Sequence, residues 1–152
     1  MKTPNHTPGA FVRIGLRDGS YGYGRLLEAP FAAFYDYRTL EPSADLDAIA
    51  SKPVLFRLAV RRKNWENWEH IGSKPLEGAV AEPVVMFDQD VADFRRCTIW
   101  DTLGNARAAT PEECVGIERG SVWDTHGIEE RLLDTFMGRP NDEEVHDRVR
   151  LK

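Results

Sequence analysis

From Phe11 onward apolar and polar residues alternate, with Val12, Ile14 and Leu16 on one side and Arg13, Gly15 and Arg17 on the other. A period of two is that of a strand with one buried face. Asp18-Gly19 supplies the backbone freedom for a tight reversal, and Tyr21 and Tyr23 alternate along a return strand toward Arg25 and Leu27, which predicts a hairpin. Phe31, Phe34, Tyr35 and Tyr37, after Pro30, fit neither the strand nor the helix period and stay unassigned. Ser43 precedes a short helix-like stretch over 44–50 with Asp45 and Asp47 in its first turn, where the helix dipole favours acids, and Pro53 closes it.

The run Val54 to Val60 is of strand length, with Val54, Phe56, Leu58 and Val60 on one face and Arg57 on the other, and reads as a central strand. Shorter strands follow around Trp68 to Ile71, Val84 to Phe87 and Cys97 to Trp100, before a turn at Leu103-Gly104-Asn105. Thr110-Pro111-Glu112-Glu113 is a capping box with proline at the first helical position. Asp124 caps a second helix, with Trp123 and Ile128 at the positions that clamp a helix entry. Ile128, Leu132, Leu133 and Phe136 recur on one stripe, Glu129, Glu130, Arg131 and Asp134 face away, and Gly138 with Pro140 ends the helix.

The pattern predicts a mainly β (α+β) fold, a small bent sheet or partly open barrel with one or two short helices and a C-terminal amphipathic helix. Residues 1–8 read as a flexible tail, 9–140 as one globular domain and 141–152 as a charged, loose tail.

At 152 residues the chain can bury roughly 70% of its unfolded surface. Its apolar fraction of 41% and charged fraction of 30% suit a compact protein, and no apolar run suits a secretory signal or membrane span, so a cytoplasmic location without a membrane partner is expected. A net charge of −5 disfavours nucleic acid and favours a basic partner. Cys97 and Cys114 stand alone, without a C-x-x-C pair, and read as buried apolar groups.

No constellation spells out chemistry. His6, His70, His126 and His146 lack metal-site spacing, and neither cysteine nor any serine has a nucleophile signature, so no catalytic, metal or cofactor residue is assigned. Gly15, Gly19, Gly22 and Gly24 lack the ending of a phosphate loop and suit bending and close packing instead. Arg57, Arg61, Arg62, Lys63, Trp65 and Trp68 interleave cations with aromatics as single-strand nucleic-acid binders do. Against that reading stand the acidic total charge and the neighbouring Glu66 and Glu69. Asp36, Glu41, Asp45 and Asp47, diluted only by Arg38, form a candidate acidic face.

Phe11-Val12-Arg13-Ile14-Gly15-Leu16, Asp18-Gly19-Ser20-Tyr21-Gly22-Tyr23-Gly24-Arg25, Pro53-Val54-Leu55-Phe56, Trp68-Glu69-His70-Ile71-Gly72 with Pro75-Leu76, and Val122-Trp123 followed by Glu130-Arg131-Leu132 together resemble the immunity protein 26 family of bacterial polymorphic-toxin systems. The resemblance runs from about Gly9 to about Asn141. It implies a mainly β antidote, not an enzyme, that binds the C-terminal domain of a cognate toxin and needs neither nucleic acid nor a small-molecule substrate. Many such toxins are nucleases with basic clefts, which an acidic antidote would meet through Asp36, Glu41, Asp45 and Asp47, with Tyr35 and Tyr37 as aromatic anchors. The principal alternative is a nucleic-acid-binding β-barrel using the Arg57 to Trp68 stretch.

Overall fold

A computed structural model describes residues 7–61 and 67–152. Ten strands among these residues make two sheets. In the first, β1 (Ala10–Gly15), β2 (Tyr21–Leu26), β3 (Phe31–Tyr35), β4 (Val54–Val60), β5 (Glu69–Ser73) and β10 (Val122–Trp123) run in the order β10-β4-β3-β2-β1-β5. In the second, β6 (Val85–Gln89), β7 (Cys97–Asp101), β8 (Ala106–Ala109) and β9 (Glu118–Arg119) run β8-β7-β6-β9. All pairings are antiparallel except β10 with β4 and β6 with β9. The fold is mainly β, and neither sheet closes into a barrel.

The expected hairpin forms: Leu16 and Ser20 close the turn, with the Leu16 amide donating to Ser20 O at 2.8 Å, and Gly19 takes a φ of 86°. The unassigned aromatic stretch supplies β3, whose five residues are all buried. Its periodicity is obscured because the first sheet is covered on both faces, so apolar residues point both ways. Val12, Ile14, Phe34, Phe56 and Leu58 face one cluster with Trp68 and Trp123, whereas Phe11, Tyr23, Ala33 and Tyr35 face another with Ile49, Val80 and Met86. A register shift between Phe34 and Tyr35 moves Val54 to the second cluster, away from the face of Phe56, Leu58 and Val60 where the alternation had placed it.

Helix α1 (Leu46–Ala50) is capped by Asp45, which accepts from the Ala48 amide at 3.1 Å, and covers the second cluster with Ile49. Helix α2 (Thr125–Met137) covers the first with Ile128, Leu132 and Leu133, and Gly138 ends it in the left-handed conformation at φ 71°. The Thr110 capping box forms, the Thr110 amide donating to Glu113 Oε1 at 2.9 Å and the Glu113 amide to Thr110 Oγ1 at 3.3 Å, but it starts only a 3₁₀ turn, Glu112–Cys114. Asp124 occupies the N-cap of α2 without a side-chain cap bond, because its carboxylate accepts from Arg61 Nε at 2.6 Å.

Two expectations are corrected. Arg131 does not face away: it is 6% exposed, bonded twice to Glu118 at 3.0 and 2.7 Å and held over the rings of Phe56 and Trp123. The segment after Asn141 is no loose tail, since Asn141 caps helix α3 (Asp142–Asp147) and the following chain docks on the second sheet. There Gln89 donates to Arg150 O at 2.8 Å and accepts from the Arg150 amide at 2.9 Å. At the other end, Gly9 already joins the sheet, donating to Leu26 O at 2.7 Å.

Cys97 and Cys114 are buried free thiols in a third, smaller cluster with Phe87. Burial, with Cys97 alongside, pushes the Cys114 thiol up to about 11, which suits a packing group rather than a reactive one. No helix among the described residues is long and apolar enough to cross a membrane.

Candidate functional site

The connection from β3 to α1 crosses the end of the β1–β2 hairpin and is fastened to it. Backbone bonds join Thr39 to Tyr21 in both directions, at 2.8 and 3.0 Å, and the Asp36 amide donates to Pro53 O at 2.8 Å. The fully buried Tyr23 contributes its hydroxyl, which lies 2.6 Å from Thr39 Oγ1 and accepts from the Ser43 amide at 3.0 Å. Arg13 Nη1 donates to Ser43 O at 2.8 Å. Arg38 reaches back to the hairpin turn, donating to Ser20 Oγ at 3.0 Å and to Asp18 Oδ2 at 2.9 Å. The Ser20 hydroxyl and amide, together with Arg38, hold the Asp18 carboxyl well below the usual carboxylate range. A loop tied at this many points is ordered before any partner arrives.

This loop carries most of the candidate acidic residues. Asp36, Glu41 and Asp45 are exposed, and no ion pair involves Asp36 or Glu41 among the described residues. Asp47 is exposed but pairs with Lys74. Tyr37 is half-buried, tilted against Tyr23 at 5.3 Å and capped by Lys52 at 5.1 Å. Tyr35 does not join this surface: it is 1% exposed and stacked on Phe11 in the core, so it is corrected from anchor to core residue. Sequence reasoning missed Leu40, which is 71% exposed beside Glu41. Its signal was a lone apolar residue between Thr39 and Glu41 in a segment without period.

The cationic aromatic stretch is placed differently. Arg57 donates to Glu82 O at 2.9 Å and tethers the approach to β6, and Arg61 is paired with Asp124. Trp68 is 3% exposed, edge-on to Phe34, with Nε1 donating to Glu129 Oε2 at 3.0 Å. A base needs an open ring face to stack on, and Trp68 offers none. Arg62, Lys63 and Trp65 lie outside the described residues. Among the described residues no three His, Cys, Asp or Glu side chains gather into a metal-binding group.

The architecture places the chain among small mainly β proteins built on two mixed sheets. The model of immunity protein 26 matches residues 7–98, and the chain belongs to that family. The matched span holds the first sheet as far as β5, the acidic loop and the beginning of the second sheet; it stops short of Val122-Trp123 and of Glu130-Arg131-Leu132. No curated protein and no solved structure matches the chain. Membership implies a cognate toxin as the partner.

Proposed function

We propose that the protein neutralises a cognate polymorphic or contact-dependent toxin by stoichiometric occlusion, without turnover, and that the loop from Asp36 to Asp45 leads the contact. The observation that carries this reading is the tied-down loop itself, along which Asp36, Leu40, Glu41 and Asp45 are all exposed. An apolar centre inside a charged rim is the usual anatomy of a binding patch. Tyr37 extends the patch, and Asp47, tied to Lys74, marks its edge.

Acidic groups on a chain of net charge −5 would steer a basic toxin cleft, such as that of a nuclease, toward this face. Nanomolar binding corresponds to about −12 kcal/mol and takes roughly 800 Å² per partner, so the loop would be the centre of a wider contact. In this account the protein works in the cytoplasm of the cell it protects, wherever the toxin meets its target.

The test is surface plasmon resonance against the C-terminal domain of the cognate toxin. The triple charge reversal D36K/E41K/D45K should lower the association rate at least tenfold at low salt, with the gap closing as salt rises. L40A should act mainly on dissociation. Unchanged rates in both variants, with folding intact, would remove the loop from the interface.

A further inference from the structure

Arg25 is buried inside the protein, and no carboxylate among the described residues pairs with it. It is 5% exposed, its guanidinium lies 4.5 Å from the centre of the Phe11 ring, and Nη2 donates to the carbonyls of Lys74 and Pro75 at 2.9 and 2.8 Å. Nε is buried and has no hydrogen-bond partner among the described residues. Arginine is almost never this buried unless an anion neutralises it, because two carbonyl dipoles and a ring face recover only part of the lost hydration.

The missing anion has somewhere to sit. Arg25 lines a cleft of about 700 Å³ between the α1–β4 turn and the segment after β5. Lys52 and Lys74 line it too, and Tyr35, Val54 and Val80 give it apolar walls. Three cationic side chains thus line one concavity of an acidic protein, with Lys52 Nζ resting over the Tyr37 ring and Lys74 Nζ on Asp47. Among the described residues the only carboxylate lining it is the exposed Glu77, and Asp47 pairs with Lys74 from outside the lining. A volume of that size, mostly apolar with a few placed charges, is that of a small-molecule site.

We propose that this cleft binds a small organic oxyanion: a phosphate or carboxylate held by Arg25, Lys52 and Lys74, on an apolar or ring-containing body that lies against Tyr35, Val54 and Val80. Guanidinium and ammonium groups around a dry wall select an oxyanion through charge-assisted hydrogen bonds. The inference does not rest on toxin binding, since the cleft's charge is opposite in sign to that of the loop.

The experiment is a titration of the full chain followed by amide resonances at fixed ionic strength, with phenyl phosphate, inorganic phosphate and benzyl alcohol as probes. Phenyl phosphate should bind saturably with shifts centred on Arg25, Val54 and Val80. Inorganic phosphate should bind about tenfold more weakly, because it buries no ring, and benzyl alcohol should not saturate. Lys52→Ala with Lys74→Ala, both at the accessible rim, should weaken phenyl phosphate at least tenfold while leaving the melting temperature near that of the parent. Arg25→Met should abolish binding; if that variant fails to fold, the lysine pair decides. Absence of saturation, shifts that map elsewhere, or parent-like affinity in the lysine variant would overturn the proposal. Equal affinity for inorganic phosphate would overturn the apolar body.

Discussion

Arg131 shows how a single charge can be hidden in a helical pattern. It follows Ile128 by three positions and so lies at the border of the apolar stripe, but its charge alone suggests solvent. The structure instead sandwiches it over Phe56 and Trp123, 4.1 and 5.1 Å from their ring centres, and neutralises it with a two-point bond to Glu118. Glu118→Ala should therefore strand a buried cation and cost about 2–3 kcal/mol, below the roughly 3–5 of a wholly buried pair because the Glu118 side chain is 29% exposed. Arg131→Met should cost less than Glu118→Ala, since it removes the charge along with the partner. Urea midpoints order the two variants, and the reverse order would contradict the account.

Asp147 belongs to the same scale. Burial pushes its carboxyl above the ordinary 3.8, against the hydrogen bond from Ser121 and the charge of Arg119. A raised folded value means that folding favours the protonated form, so this contribution is complete below the ordinary value and is lost as pH rises through the folded one. Asp147→Asn, which cannot ionise, should match the parent in acid and gain on it as pH climbs from about 4 toward neutrality. Chemical denaturation across that range measures the difference.

At the scale of elements, the hairpin was legible because turn chemistry and alternation agreed, and two of its glycines, Gly22 and Gly24, have the packing role their setting suggested. A Cβ on Gly24 would stand 3.1 Å from both Ala33 O and the Phe34 ring, whereas one on Gly15 would meet nothing within 4 Å. Gly24→Ala should thus cost about 1–3 kcal/mol by overpacking, and Gly15→Ala should be neutral or slightly stabilising; thermal melts of both compare them directly.

Less of the second sheet, and of β10 at the edge of the first, could be read. Strand β8 is a nearly exposed Ala-Arg-Ala-Ala, β9 and β10 are two residues each, and their partners are parallel and distant in sequence, so no local period reports them. The docking of the C-terminal segment was equally hidden, because it depends on the backbone of Arg150 meeting the side chain of Gln89, with Val149 packed on the third cluster, and neither contact leaves a local period. Gln89→Leu should release 148–152 and speed exchange of the Arg150 amide about tenfold, for a loss near 1.4 kcal/mol. Exchange rates across the segment provide the check.

On the scale of the whole molecule, the order of strand, turn and tryptophan motifs carried the family, and the match over residues 7–98 agrees with it. The candidate surface was legible only in part. Asp36, Glu41 and Asp45 are exposed, but Tyr35 went to the core because β3 is buried on both faces, and Leu40 could not be told from a core residue without the loop's path. Arg25 was equally invisible, since a strand arginine reads as solvated until both faces of its sheet are seen to be covered.

The measurement that bears most directly on the central claim is a calorimetric titration of the purified protein with the C-terminal domain of its cognate toxin, with residual toxin activity followed in parallel. The account predicts a one-to-one complex of nanomolar affinity and loss of toxin activity in step with its formation. Loss of activity at a small fraction of an equivalent, or full toxin activity at saturating protein, would contradict it.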